Sequence, residues 1–283
     1  MGAKVSGLST NECFQFVCLR AAHSCSSTGT PLPRHSHLVL RREDVCRGGR
    51  LIIIGDVHGC AGELVKLLEK EQFDAIRDTL VFTGDLVNKG PDSGSVVRLA
   101  RRYSALGVRG NHDDELLEAW YRTGRFRQGL HKYTNNALPQ MSSEDVSFIR
   151  ELPLSLSIPW LQLIVVHAGV VPGVSLASQR FEDLLWMRDL KQAGTSGMWQ
   201  GLQNPEIGSL PWADVWSGPE HVVFGHDAMR RLQQKAFATG LDTGCVYGSE
   251  LTALIIDPDD FSERYITSVP AAGMHVVPNS RVE

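Results

Sequence analysis

The chain has 283 residues, of which 42% are hydrophobic and 21% are charged, and its formal net charge is −4. This length suits one sizeable hydrophobic core, and the composition is that of an ordinary globular protein. The slightly negative charge excludes capture of a polyanion by a general positive field, so a phosphate-bearing substrate would have to be held by metal ions and a few placed cations. We therefore expect no stable complex with nucleic acid.

The cysteines have neither the paired spacing of a disulfide scaffold nor that of a structural zinc site, so we expect reduced thiols in an intracellular, cytoplasmic protein. The best apolar run, residues 161–171, is interrupted by Gln162 and His167. It falls short of the roughly 18 residues that a membrane-spanning helix needs. No membrane-spanning segment is predicted.

Residues 1–48 lack sustained periodicity and include a Ser/Thr/Pro-rich stretch at 25–33, so we predict a disordered leader. Its first residues, Met1-Gly-Ala-Lys-Val-Ser6, fit the N-myristoylation pattern with Gly2 as the acceptor. Membrane attachment is predicted only through this lipid, and one acyl chain alone binds a membrane marginally. A transit peptide is the alternative, because acidic residues are scarce in this segment.

Residues 49–275 form the predicted catalytic domain, and residues 276–283 form a short tail. Apolar and amphipathic periodicity predicts helices at 62–72, 91–103, 113–123 and 142–153. Predicted strands lie at 51–54, 80–83, 107–109, 161–166, 222–224, 236–239, 251–256 and 264–269. Alternating strands and helices, followed by a run of strands, predict an α/β fold with two packed mixed β-sheets flanked by helices.

Residues 170–217 have no clear periodicity and form a long insert between two predicted strands. The insert carries Trp186, Trp199, Trp212 and Trp216 among glycines and prolines. Long irregular inserts in compact domains are often substrate-facing, and an indole there could stack on a nucleobase. The alternative, that these indoles cover the core, stays open.

Five apolar strands end in the same way, with Asp, Asn or His directly after the strand. The strand ends are Gly55-Asp-Val-His58, Gly84-Asp85, Gly110-Asn-His-Asp113, His167-Ala-Gly169 and Gly225-His-Asp227. The carboxyl ends of strands in open α/β sheets are where such folds place their sites, so these side chains are expected to converge. Taken alone, each histidine would more often be a satisfied core or loop residue.

The residue types at these strand ends predict a centre for two divalent metal ions. Asp85 is the predicted bridging ligand, Asp56 and His58 complete one metal site, and Asn111, His167 and His226 complete the other. Such a pair of ions activates water for in-line attack on phosphorus. Manganese is the first expectation for both ions, with zinc, iron, cobalt or magnesium as alternatives.

Further residues are predicted to serve the reaction. His112, next to Asn111, is placed to protonate the leaving group as a general acid. Lys89, Arg109 and Arg188 are the candidate cations for the remaining phosphate charge.

These motifs resemble those of a known family. Gly55-Asp-Val-His-Gly59, Arg109-Gly-Asn-His-Asp113 and His167-Ala-Gly169 are similar to the motifs of the calcineurin-like metallophosphoesterases, over about residues 50–270. Residues 84–93, Phe224-Gly-His-Asp227 and Leu241-Asp-Thr-Gly-Cys245 resemble the ApaH-like branch, relatives of the bacterial symmetrical diadenosine tetraphosphatase. The resemblance implies an α/β/β/α sandwich, a dinuclear metal site and the ligand roles given above.

Two positions differ from the protein phosphatases of this superfamily. Lys89 stands where they and the bacterial enzyme have arginine, and Asn88 stands where they have an aspartate paired with the acid histidine. A lysine cannot hold a phosphate bidentately, and an asparagine cannot stabilise an imidazolium as a carboxylate does. Both residues resemble the eukaryotic ApaH-like sequences.

We therefore expect hydrolysis of phosphoanhydride or phosphoester bonds in small polyphosphorylated molecules. Diadenosine polyphosphates come first, and inorganic polyphosphate or capped RNA ends come next. A Ser/Thr protein phosphatase is the alternative, although the chain lacks the Ser-Ala-Pro-Asn-Tyr segment that marks that group. A non-catalytic scaffold of the same fold is a third hypothesis, which the intact set of metal ligands disfavours.

Overall fold

The structure is a computed structural model that describes residues 25–45, 48–121, 132–194 and 197–278. The described α-helices are Arg42–Val45 (α1), Ala61–Lys70 (α2), Ser93–Arg102 (α3), Asn111–Tyr121 (α4), Lys132–Ala137 (α5), Ser143–Glu151 (α6), Phe181–Trp186 (α7) and Trp212–Val215 (α8). The described strands are His37–Val39 (β1), Leu51–Ile54 (β2), Thr79–Phe82 (β3), Leu106–Gly107 (β4), Ser155–Ile158 (β5), Leu163–Val166 (β6), Asp189–Gln192 (β7), Trp199–Leu202 (β8), Leu210–Pro211 (β9), His221–Phe224 (β10), Gln233–Gln234 (β11), Ala238–Gly240 (β12), Glu250–Asp257 (β13) and Asp260–Pro270 (β14).

Two mixed sheets form the centre of the domain. One has the strand order β1-β5-β6-β10-β12-β11, and the other has the order β14-β13-β2-β3-β4. Within the first sheet β6, β10 and β12 run parallel, and within the second β2, β3 and β4 run parallel. The parallel strands of each sheet therefore have their carboxyl ends at the same edge of that sheet.

The side chains of each central strand alternate between two apolar layers. In β2, Leu51 and Ile53 pack in the core between the sheets, whereas Ile52 and Ile54 pack under helices α2, α3, α4 and α6. In β10, Val223 faces the other sheet, while its neighbours Val222 and Phe224 face helices α7 and α8. Strands buried on both faces read as continuous apolar runs for this reason. The predicted α/β fold, two packed mixed sheets flanked by helices, is confirmed.

The predicted leader is wrong for the part of it that the structure describes. Strand β1 pairs in parallel with β5, and Thr30 donates a 2.7 Å hydrogen bond from its hydroxyl to Asp114. Residues 25–45 thus belong to the folded domain, because their polar groups and the apolar Leu38 and Leu40 find partners in it. Gly2 lies outside the described residues, so its lipid stays a prediction.

The tryptophan-bearing insert is an ordered part of the fold in its described residues. Strands β8, β7 and β9 form a small antiparallel sheet there. Trp212 is only 2% exposed, and Trp186, Trp199 and Trp216 pack against the same apolar cluster. These indoles cover the core, so their placement does not fit the predicted stacking on a substrate. Among the described helices, none has both the length and the apolar character needed to cross a membrane.

Candidate metal centre

The carboxyl ends of the parallel strands from both sheets meet at one place. Asp56 and His58 follow β2, Asp85 follows β3 and Asn111 begins α4 just beyond β4, while His167 and His226 follow β6 and β10 of the other sheet. Each of these six side chains is at most 7% exposed. The structure therefore brings together all six predicted metal ligands.

The loops that carry these residues adopt backbone conformations that L-residues rarely use. His58, Asp85 and His226 all have positive φ angles, of 46°, 52° and 67°. Such strain persists only where surrounding structure fixes it, and it clusters at functional sites. The backbone conformation of these loops therefore sets the direction in which the three side chains point.

Two glycines let the loops approach each other closely. A Cβ atom on Gly225 would lie 1.9 Å from Asp56 Oδ1, and one on Gly110 would lie 2.1 Å from Asp85 Oδ1. No side chain fits in that space. Glycine at these positions is therefore a steric requirement of the carboxylate positions.

Asp85 lies between two groups of donors. One of its carboxylate oxygens is 3.3 Å from His58 Nε2, and the other is 3.5 Å from His167 Nε2. The His112 backbone N–H also donates to Asp85 Oδ1 at 2.9 Å. This position, with one oxygen toward each group, is the one a bridging ligand needs.

The histidine contacts test whether cations fit the site. His167 Nδ1 lies 2.9 Å from the Thr83 carbonyl and His226 Nε2 lies 3.1 Å from the Trp186 carbonyl, so each neutral ring donates its proton there. The other nitrogen of each ring, His167 Nε2 and His226 Nδ1, then carries no proton and faces Asn111 Oδ1, at 2.9 Å and 3.1 Å. The two imidazole nitrogens and the amide oxygen that converge here are the kinds of ligand atom that a divalent metal ion takes, so the residues fit such an ion.

The second group of donors is built in the same way. His58 Nδ1 lies 3.0 Å from the Val87 carbonyl, and this contact leaves Nε2 to face Asp85 and, at 4.0 Å, Asp56. Suitable ligand atoms of Asp56, Asp85 and His167 lie within 4.8 Å of one another, and so do those of His58, Asp85 and His112.

Burial disfavours the charged forms of the carboxyl and imidazole groups at the site. It raises the pKa of Asp85 to about 7 and lowers the pKa of His167 to about 4. Burial, followed by the charges of Asp242 and Asp85, also raises the pKa of Asp56. Bound cations would offset these costs by compensating the carboxylates.

Sequence reasoning missed Asp242 as a residue of the site, whereas it interprets Asp113 as structural. Asp242 follows β12, the strand beside β10, and its carboxyl is in hydrogen-bond contact with that of Asp56. Asp113 accepts the backbone N–H groups of Asp85, Leu86 and Gly110, and so fixes two of the loops. For Asp242 the signal was present, because an Asp after an apolar strand is the same pattern that marked the other ligands.

The predicted general acid His112 lies at the rim, with 14% of its side chain exposed. Its ring stands 5.0 Å from that of His58, and its Nδ1 lies 3.0 Å from Glu115 Oε2, one helical turn farther along α4. Asn88 contacts the same Nδ1 at 3.4 Å. Glu115, rather than residue 88, supplies the carboxylate beside this imidazole.

The three predicted phosphate-binding cations have different placements. Lys89 Nζ lies 3.0 Å from His58 Nε2, and Arg188 lies near the site with its Nη2 3.5 Å from the His226 carbonyl. Burial alone would lower the pKa of Lys89, but Tyr247 and Asp85 raise it above its ordinary value.

The predicted role of Arg109 is contradicted by its placement. The side chain is fully buried, and its guanidinium donates to Asp114 at 3.1 Å and to the Pro31 carbonyl at 3.0 Å. A guanidinium bound in this way ties the segment before β1 to helix α4. It cannot reach a phosphate at the site.

A cleft of about 460 Å³ opens onto the donors. Its polar side includes Asp85, Asn111, His112 and His226, and Lys89, Arg188 and Arg231 also line it. Clefts of roughly this size hold small organic ligands. The arrangement can therefore place a charged small molecule against a metal centre.

Comparison with known proteins agrees with this geometry. The profile of the family described as calcineurin-like phosphoesterase matches residues 49–241. A symmetrical bis(5'-nucleosyl)-tetraphosphatase of Shewanella oneidensis is 39% identical over 267 residues, which cover 73% of this chain and 94% of that protein. An asymmetrical bis(5'-nucleosyl)-tetraphosphatase, PrpE, of Halalkalibacterium halodurans is 32% identical over 244 residues, which cover 77% and 93%.

Solved structures show similar likenesses. A crystal structure assigned as a diadenosine tetraphosphatase has a TM-score of 0.72 and 37% identity, and covers 83% of this chain and 98% of that chain. A Saccharomyces cerevisiae protein serine/threonine phosphatase has a TM-score of 0.52 and 15% identity, and covers 79% and 80%. The second likeness shows the fold alone.

Proposed function

Because the chain belongs to the calcineurin-like phosphoesterase family and is a hydrolase of its ApaH-like branch, we propose that it cleaves dinucleoside polyphosphates, with diadenosine tetraphosphate as the first candidate. The observation that carries the proposal is the convergence of His167, His226 and Asn111 on one point through three acceptor atoms. A divalent cation at that point would be held by all three atoms, and cation-activated water is the chemistry that phosphoanhydride cleavage needs.

The predicted ligands would hold two divalent ions, with manganese as the first candidate for both. Asp85 would bridge them, Asp56 and His58 would complete one site, and Asn111, His167 and His226 would complete the other. When bound, the two ions would supply an activated water for in-line attack on phosphorus. The remaining chemistry belongs to side chains of the cleft.

His112 would protonate the oxygen that leaves with the nucleotide product, because it stands beside the donors and its other nitrogen is held by Glu115. Lys89 and Arg188 would balance the charge of the phosphates that do not react. Because a tetraphosphate carries several negative charges and the protein is itself slightly acidic, these placed cations are needed in addition to the metals.

Inorganic polyphosphate and capped RNA ends are the next candidates, because they contain the same phosphoanhydride bond. The yeast protein phosphatase shares the fold alone, so its likeness does not favour a phosphopeptide substrate. The relatives include symmetrical and asymmetrical enzymes, which differ in the bond attacked.

The test is product analysis by chromatography with manganese, zinc or magnesium added to metal-stripped protein. The substrates are diadenosine tetraphosphate, long-chain polyphosphate, capped RNA and a phosphopeptide. We expect fastest turnover of the dinucleotide, with two ADP from symmetrical cleavage or ATP and AMP from asymmetrical cleavage. Turnover of the phosphopeptide with inert dinucleotide and polyphosphate would reverse the assignment.

A further inference from the structure

The cleft that opens onto the metal donors has a second, apolar end. Met229, Tyr247, Val276 and Val277 line it there. Met229 is 75% exposed and Val277 is 72% exposed. Single exposed apolar residues are ordinary, but here they share one cleft with a polar reaction centre, and this combination is typical of sites for amphipathic ligands.

This apolar end is a built part of the fold, although residues 276–283 were predicted as a tail. The N–H groups of His275 and Val276 donate to the Val246 carbonyl, at 3.0 Å and 3.2 Å. Tyr247 and Met274 form a β-bridge, and the Ala272 N–H donates to the buried carboxylate of Glu63. The segment through Val276 is thus fixed to the loop that follows Asp242.

One cation lies between the metal donors and Tyr247, and a second lines the same cleft. Lys89 Nζ stands 5.4 Å from the centre of the Tyr247 ring, on the side of the metal donors. Arg231, which sequence reasoning did not single out, lines the same cleft and donates to the Thr243 carbonyl at 2.6 Å. A ligand that fits this order of surfaces has a polyphosphate at one end and a flat apolar group at the other.

We propose that Met229, Tyr247, Val276 and Val277 form a subsite for one nucleobase of the substrate, and that Arg231 binds the polyphosphate between this base and the metal centre. The proposal rests on the proposed function and names the group that gives it specificity. A nucleobase buries its faces against apolar and aromatic side chains regardless of its hydrogen-bonding edge. The enzyme should accordingly prefer nucleotide-bearing polyphosphates to inorganic ones.

The test compares a double variant, Met229→Ser with Val277→Ser, with the unchanged protein on diadenosine tetraphosphate and on inorganic tripolyphosphate. Both side chains are mostly exposed, so the substitutions should not impair folding. We expect kcat/KM for the dinucleotide to fall about tenfold relative to that for tripolyphosphate in the double variant, chiefly through KM. Tyr247 is left unchanged because it also touches Lys89.

The control is Ile76→Ser, which changes a 79% exposed apolar residue outside the cleft and should leave the ratio of the two kcat/KM values unchanged. Equal losses on both substrates, or no loss, in the double variant would overturn the subsite while the proposed function stands. Failure of the unchanged protein to hydrolyse the dinucleotide would overturn the proposed function instead. A second variant, Arg231→Gln, should weaken binding of both substrates and leave their ratio within twofold.

Discussion

The two ends of the cleft are built in opposite ways. At the metal centre the side chains are at most 7% exposed, the backbone of three ligands has positive φ, and glycines give the carboxylates room. At the apolar end Met229 and Val277 are largely exposed and stand on ordinary surface segments. The candidate metal ligands are therefore fixed by buried strand ends, whereas the residues of the proposed base subsite lie on the surface, where they can vary without disturbing the fold.

The largest effect should come from the residue between the two groups of donors. Asp85→Asn keeps the size of the side chain but removes the charge that a bridging ligand needs, so we expect turnover to fall at least a thousandfold on every substrate. Metal content per chain, measured by mass spectrometry, should fall with it. Asp214→Asn, at an exposed acid that pairs with Lys235 and does not line the cleft, is the matched control. Full activity in Asp85→Asn would contradict the two-metal mechanism.

The next prediction tests whether the metal centre needs glycine beside Asp56, and it changes none of the candidate ligands. In Gly225→Ala the new Cβ would collide with Asp56 Oδ1, so Asp56 must move and metal affinity should fall about a hundredfold. Isothermal titration with manganese measures it. Gly62→Ala is the control, because a Cβ there meets nothing within 4 Å and helix α2 gains from alanine. Unchanged affinity in Gly225→Ala would show that the loops are looser than the structure indicates.

The convergence of the six candidate metal ligands could be predicted from sequence because each one follows an apolar strand, and parallel strands bring their ends together by topology alone. Asp242 obeys the same rule and could have been found. Arg109 could not be assigned correctly, since its partners Pro31 and Asp114 are joined only by the folding of residues 25–45 onto the domain. The wall formed by Val276 and Val277 carries no periodicity, and only backbone pairing to Val246 places it.

A smaller effect is expected at Glu115, which lies beside His112 at the rim of the metal centre. Its carboxylate holds His112 Nδ1 at 3.0 Å, so Glu115→Gln should disorient the imidazole and slow turnover of poor leaving groups about tenfold. Activated aryl phosphates, which need no proton, should be nearly unaffected in kcat. Glu69→Gln on the exposed side of helix α2 is the control. Equal losses on both kinds of leaving group would remove Glu115 as a residue that positions the acid.

The last effect is on stability, and its dependence on pH distinguishes the metal centre from the apolar end of the cleft. In metal-stripped protein, burial raises the pKa of Asp85 to about 7 and that of Asp113 to about 8, so the folded state holds protons that the unfolded state has released. Stability should therefore fall as pH rises toward 8. The buried histidines, with lowered pKa values, oppose this trend below pH 6.5 but add nothing above it, where they are neutral even when unfolded.

The window from pH 6.5 to 8 thus isolates the carboxyl groups, and the free energy of unfolding should drop there by about 2 kcal/mol. Urea denaturation with a chelator measures the drop, and saturating manganese should abolish it because bound cations keep the carboxylates ionised at both pH values. Val277→Ser, at the apolar end, should keep the same pH dependence, whereas Asp85→Asn should reduce it, since the Asp113 carboxyl, whose pKa burial also raises, remains. A metal-stripped protein equally stable at both pH values would mean that these carboxyl groups are better solvated than their burial implies.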